Sequence, residues 1–393
     1  MKETHNTTKL YQPNYEGVTS FNVFKKKWNE LEGASNINQS QIRDTYGAAL
    51  VAVRPGSTKY FALNPTWCLT IENRKVLSKD TWQQWLNSQG LLSKGWHLKK
   101  FRILDAIWLK EAFYVVAAKS LFLKLDQDFR FQSEFLKIEE NEFSASFSSR
   151  SLRKSADNNH ILVIYQGKSK IFTLVDVTRE GQEDHIKATL DITKAINNEF
   201  LYDFKTMKQN RIVCQTSQSH QILLIQYTFK NAGEWSILHR LEAVKVFAPQ
   251  QVGNGRDCAI TLAGCHDYNL FATQVRTNSM FGLKRLSLVE IVGRRLRRLI
   301  SLQNEPGLKI VSSFVADLEV VNSRFAVFIL SPYEQSAKLN QFIFGRRNRK
   351  LLRVRKFGVL GSNLFHFGKV DHKIVGLGYF QTYFEVTFGK GVD

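Results

Sequence analysis

The chain has 393 residues, 55 Lys or Arg against 35 Asp or Glu, and a formal net charge of +20. With 43% hydrophobic and 12% aromatic residues it can bury a substantial core, which excludes a disordered polymer. Its four cysteines, Cys68, Cys214, Cys258 and Cys265, are too few and too scattered for a disulfide framework, so a reducing, intracellular compartment is expected.

Residues 1–18 are polar and read as an extended arm without the apolar stretch of a secretory signal. Residues 19–33 read as an amphipathic helix: Ser20 can cap it, Phe21, Phe24, Trp28 and Leu31 recur at three- and four-residue steps, and Gly33 stops it. Phe21, Phe24 and Trp28 are therefore candidate partner-binding residues, or packing residues against the main body. Residues 1–44 form an extension and residues 45–393 the main body.

From Ala48 the chain repeats one pattern seven times: an apolar run, a polar turn, a second apolar run. The units are AALVAV-RPGST-KYFAL, FYVVAA-KS-LFLKL, ILVIY-QGKS-KIFTLV, IVCQT-SQSH-QILLIQY, CAITLA-GCHDY-NLFATQ, FAVFIL-SPYEQSAKL-NQFIF and KIVGLG-YF-QTYFEVTF. Runs rich in Val, Ile, Phe, Tyr and Leu between turns of Gly, Pro, Ser, Asn and Asp are strand and turn chemistry. Taken at the first apolar residue, the units step by 64, 48, 51, 47, 66 and 49 residues. The two long steps read as insertions near 78–96 and 283–302. Apolar stretches are broken by charge within about ten residues, so no membrane-spanning helix is expected.

The first insertion carries a short helix over 78–90, with Asp80 as N-cap and Gly90 past its end. It shares four of the seven tryptophans with its neighbourhood: Trp82, Trp85, Trp96 and Trp108. Trp82 and Trp85 are candidate partner anchors if exposed, and a pin for the insertion if buried.

Charge is uneven. Residues 276–356 hold 17 Lys or Arg against 5 Asp or Glu, and 335–370 hold no acidic residue. Arg294, Arg295, Arg297 and Arg298 form one cluster, on a strand or a helix. Arg346, Arg347, Arg349 and Lys350 form a second in a turn, followed by a strand over 351–357 that places Arg353 and Arg355 on one face. Arginine grips phosphate through paired hydrogen bonds, so these ten residues are the candidate site for nucleic acid or another polyanion. Runs such as RRNRK also point to the nucleus rather than the cytoplasm or mitochondrion.

No phosphate loop, nucleophile elbow or zinc-protease motif is present. Cys258, Cys265, His266 and Asp267 lack a usual zinc spacing, so neither metal nor cofactor is expected. An Asp precedes each unit (Asp44, Asp105, Asp157, Asp203, Asp257, Asp317 and Asp371) at offsets irregular enough to read as turn caps rather than a catalytic ring.

The seven units, at a blade-sized period, resemble the WD40-like β-propellers in rhythm, although no Trp-Asp or Gly-His signature accompanies them. The resemblance implies an all-β, seven-bladed β-propeller, here with a helical extension and an inserted helix. The expected role is a non-enzymatic scaffold or subunit of a larger assembly, with other protein subunits as partners and a basic face for nucleic acid or an acidic protein surface. The alternatives are a pure protein–protein module docking acidic partners and a propeller hydrolase with an acidic channel.

Overall fold

The computed structural model describes residues 22–36, 50–92, 101–117, 121–137, 152–167, 169–179, 186–216, 222–226, 258–266, 269–278, 283–292, 295–302, 314–321, 324–333, 336–345, 351–359, 368–370, 373–377 and 382–387. For 22–27 and beyond 226 the description is of backbone pairing, together with the side chains of Glu290, Val375, Tyr383 and Glu385.

Among these residues the fold is mostly β: seven antiparallel sheets of three or four strands, with one α-helix. Six sheets are meanders of consecutive strands. The first comprises Leu50–Val53, Lys59–Leu63, Trp67–Glu72 and Lys75–Thr81. The second comprises Ile103–Leu109, Ala112–Ala117, Leu121–Leu125 and Phe131–Lys137. The third comprises Leu152–Lys154, Ile161–Gln166, Ile171–Asp176 and Ile186–Asp191. The fourth has three described strands, Leu201–Met207, Arg211–Thr216 and Ile222–Gln226. The fifth comprises Cys258–His266, Asn269–Asn278, Leu283–Val292 and Arg295–Leu302. The sixth comprises Phe314–Val321, Arg324–Tyr333, Ser336–Gly345 and Leu351–Val359.

The seventh sheet is assembled from both ends of the sequence. Gly368–Val370, Lys373–Leu377 and Thr382–Thr387 form a meander, and Asn22–Lys27 pairs antiparallel along Thr382–Thr387 as its outermost strand. The helix expected over 19–33 is thus replaced by a strand followed by two short 3-10 turns, Trp28–Glu30 and Ala34–Asn36. Helical spacing of Phe24, Trp28 and Leu31 lost to a ladder with a distant partner strand, a tertiary preference that local periodicity does not encode.

The first strands of successive sheets touch from the first sheet to the sixth, and the first strand of the first sheet touches the seventh. The cores lie between sheets. Phe113, Val115 and Ala117 pack with Leu50, Ala52 and Phe61 of the first sheet, while Tyr114, Val116 and Ala112 pack with Leu152, Leu162 and Ile164 of the third. Ile161, Val163 and Tyr165 turn the other way, onto Phe204, Ile212 and Cys214 of the fourth. Strand alternation therefore sends one set of side chains to each neighbour, which is why FYVVAA and ILVIY are apolar on both faces.

Second strands begin at Lys59, Ala112, Ile161, Arg211, Asn269, Arg324 and Lys373, with steps of 53, 49, 50, 58, 55 and 49. The uneven period read from sequence comes largely from the hairpins themselves. Units one and five are first-and-second strand pairs, and the others second-and-third. The stretch 283–302 is accordingly no insertion, since it supplies the third and fourth strands of the fifth sheet.

The inserted helix is real but short, Trp82–Ser88. Thr81, not Asp80, is its N-cap; its hydroxyl accepts from Gln84 N, while Gln84 Oε1 accepts from Thr81 N, a reciprocal capping box. Asp80 is the strand residue opposite Cys68. Gly90 follows the helix at φ +66°, as a C′ glycine should. Among the described residues no helix is long and apolar enough to cross a membrane.

Candidate polyanion-binding edge

The expected arginine clusters resolve onto strands where they are described. Arg295, Arg297 and Arg298 stand on the outermost strand of the fifth sheet. Arg353 and Arg355 stand on the outermost strand of the sixth, opposite Ile343 and Gln341. The choice between strand and helix for the first cluster thus falls to strand. Cross-strand partners are Val292 for Arg295, Glu290 for Arg297 and Val289 for Arg298. Glu290 is buried. Arg294, Arg346, Arg347, Arg349 and Lys350 lie outside the described residues, as does Phe21.

The strands of the fifth and sixth sheets run antiparallel, and their first strands touch. Two basic outer edges therefore belong to neighbouring sheets. Cationic groups gathered on one region raise the local positive potential and attract phosphate or carboxylate polymers.

The tryptophan anchors are corrected. Trp82 is 4% exposed and Trp85 6% exposed, both inside the core between the first two sheets. Trp82 Nε1 donates to Asn64 O at 2.9 Å and Trp85 Nε1 to Phe129 O at 3.3 Å. Trp85 also stacks on Phe101 at 5.9 Å between ring centroids. These indoles pin the helix to the body, since their apolar rings gain more from burial than from solvent.

Trp28 is buried as well, not displayed on a helix. The ammonium of Lys79 sits 4.1 Å from its ring centroid and 5.4 Å from that of Trp67. This cation–π contact fastens the segment after the strand Asn22–Lys27 to the first sheet. Val76 N donates to Glu32 O at 2.7 Å, and Gly33, at φ +81°, lies so close that a Cβ would strike the Val76 carbonyl. Phe24 lies within the outer strand of the seventh sheet, opposite Glu385.

Arg74 and Glu385 meet at a cavity of about 230 Å³ lined with Thr58, Tyr60 and Asn73. Arg74 Nε donates to Glu385 Oε2 at 2.7 Å, and the bond holds the guanidinium pKa above its usual value. Burial, then the Glu385 charge, pushes the neighbouring Tyr383 phenol up. The arrangement ties the first sheet to the last.

Three of the seven aspartates prove equivalent, and they are the three with nearly equal offsets, 8, 9 and 8 residues, to the next apolar run. Asp105, Asp203 and Asp317 each follow a bulge in the first strand of the second, fourth and sixth sheets. Asp105 accepts from Ala106 N at 2.9 Å and from Leu152 N of the third sheet at 2.9 Å. Asp203 accepts from Phe204 N and from Arg153 of the third sheet, both at 2.8 Å. Burial raises the Asp203 pKa, but Lys205 and Arg153 outweigh it and leave the net shift downward. These two carboxylates join sheets. Asp157 accepts from Gln209 N and Asn210 N of a turn in the fourth sheet, and Asp44, Asp257 and Asp371 lie outside the described residues.

Among the described residues no group of three or more His, Cys, Asp or Glu could hold a metal. Cys258, Cys265 and His266 fall on the first strand of the fifth sheet, and Asp267 lies outside the described residues.

No family model matches the chain, and no curated protein is similar to it. Solved structures do resemble it. The computationally designed Ika8 protein aligns over 88% of this chain and 98% of its own, at 9% identity and a TM-score of 0.41. The N-terminal domain of Nup159 aligns over 94% of this chain and 96% of its own, at 8% identity and a TM-score of 0.46.

Proposed function

We propose that the seven sheets close as the blades of a β-propeller that serves as a non-enzymatic scaffold within a larger assembly, with a basic edge for nucleic acid or another polyanion. The propeller reading is supported by the chain of touching first strands, by cores that lie between successive sheets, and by a seventh sheet completed by the strand Asn22–Lys27. Fastening the last blade with a strand from the other end of the sequence leaves short, protected edges. Buried, unpaired thiols at Cys68 and Cys214 suit a reducing intracellular setting, the nucleus among the candidates.

The polyanion reading rests on one observation: Arg295, Arg297, Arg298, Arg353 and Arg355 occupy the outermost strands of two neighbouring sheets. Binding to heparin and to nucleic acid, measured across a salt series, tests it. Affinity should fall steeply with salt, because bound phosphates release counterions. Charge reversal at Arg353 and Arg355 should weaken binding far more than reversal at Lys187 in the third sheet. Equal effects, or no binding of either ligand at low salt, overturn this reading.

A further inference from the structure

The topology points to a third basic edge, on the strand Asn22–Lys27, which extends the arginine edges into one surface for the phosphate backbones of a nucleic-acid duplex. This inference rests on the propeller and polyanion readings above and adds the seventh sheet and the ligand class to them.

The outermost strands differ sharply in charge around the molecule. In the first sheet, Lys75–Thr81 carries Lys75, Lys79 and Asp80, with Lys79 buried against two indoles. In the second, Phe131–Lys137 carries Glu134 and Lys137, which cancel. In the third, Ile186–Asp191 carries Lys187 and Asp191, which also cancel. In the fourth, the last described strand, Ile222–Gln226, carries no charge.

The next three sheets break this balance. Arg295–Leu302 carries three arginines and no acid, and Leu351–Val359 carries Arg353, Arg355 and Lys356 and no acid. Asn22–Lys27 carries Lys25, Lys26 and Lys27 and no acid. The lysines pair with Phe384, Tyr383 and Thr382, so among the described residues the strand's ladder is with uncharged positions at that end. Three charges on the outer edge of each of three sheets that follow one another in the order of blades is a segregated pattern, one that solubility alone would not require. A linear polyanion able to reach all three edges gains from each.

The aromatic content favours a duplex over a single strand. Single-stranded ligands are held by bases stacking on aromatic rings between cations. The three basic strands offer only Phe24 and Phe357 between them. A duplex presents phosphates alone along its backbone and needs no stacking platform.

The test uses the full chain and a fluorescently labelled duplex DNA of about 30 base pairs, its affinity followed by anisotropy across a salt series. The triple change Lys25→Glu, Lys26→Glu, Lys27→Glu should weaken binding at least roughly tenfold and flatten the dependence of log K on log salt by about 2 to 3, near 0.9 per lost phosphate contact. The triple Lys→Gln variant keeps the strand and should shift both readouts the same way by less, which separates charge from folding. Lys187→Glu should change neither. If the Lys25–Lys27 variants bind as the parent does while Arg353→Glu/Arg355→Glu loses affinity, the seventh-sheet edge is excluded and the polyanion reading stands. If the parent chain binds neither duplex nor heparin at low salt, the polyanion reading itself fails. Tighter binding of a single-stranded oligonucleotide or of polyglutamate than of the duplex overturns the ligand class.

Discussion

Arg74 and Glu385 join the first sheet to the seventh across 311 positions of sequence, and the two ends of the pair differ in burial. The Glu385 side chain is 2% exposed and that of Arg74 44%. Removing Arg74 takes the ion-pair partner from a buried carboxylate, whereas removing the carboxylate leaves a guanidinium that can reach water. Arg74→Met should therefore cost about 2–4 kcal/mol and Glu385→Gln about half as much, measured by urea denaturation. Arg74 also holds φ +65° beside Asn73 at +49°, a conformation that glycine adopts without strain. Arg74→Gly should consequently cost less than Arg74→Met.

The four indoles buried among the described residues, Trp28, Trp67, Trp82 and Trp85, separate packing from hydrogen bonding. Trp82 donates to Asn64 O, whereas Trp28 Nε1 has no partner among the described residues. Trp82→Phe should then destabilise the protein by about 1–3 kcal/mol through the lost hydrogen bond, and Trp28→Phe by less. Replacement of Trp82 or Trp85 by Ala should cost about 3–5 kcal/mol and shift the whole thermal transition, without a selective loss of any partner.

The thiols set an alkaline limit. Burial pushes the Cys214 thiol up to about 12, and burial with the Asp80 charge pushes Cys68 up as well. The unfolded chain ionises these groups near pH 8.5 while the folded chain keeps them protonated, so unfolding releases protons. Stability should be intact below about pH 8 and fall as pH rises above it. Cys68→Ser/Cys214→Ser should flatten that fall. Native Cys68 and Cys214 should resist alkylation at pH 8.5 and react once the chain is denatured.

Acid acts through Asp203. Its folded pKa is depressed, so the stability it contributes is present above its unfolded pKa of about 3.9 and is lost as pH falls through the folded value. Asp203→Asn should be less stable than the parent at neutral pH, with the gap closing as pH falls below the unfolded value of about 3.9. Stability curves from guanidinium titrations across that window check it.

Much of the fold could be read from residues alone, and the exceptions have physical causes. Ala112–Ala117 and Ile161–Gln166 are buried on both faces, so their strand character survives any context. Leu50–Val53 and Cys258–His266 are apolar enough to pass for second strands, which displaced two hairpins by one strand and made the period look broken. The strand Asn22–Lys27 depends on a partner at 382–387, and nothing within its own neighbourhood announces that pairing. A helix over 19–33 hides the place of Lys25, Lys26 and Lys27 on an outer edge. The bulges at Asp105, Asp203 and Asp317 likewise required the register, because the near-equal offsets of these three to the next apolar run, 8, 9 and 8 residues, are masked by the shorter offsets of Asp44, Asp157, Asp257 and Asp371.

The last sheet imposes an order in time. Thr382 follows Lys27 by 355 positions, so at roughly 5–20 residues per second the ribosome needs about 20–70 s to deliver the strand that Asn22–Lys27 pairs with. Throughout that interval the nascent chain carries an unsatisfied strand, three lysines long at its end, that could pair wrongly or be held by a chaperone. A permuted gene that places Asn22–Lys27 directly after Thr382–Thr387 would turn this delay into a local hairpin, and its product should reach the native state sooner after release.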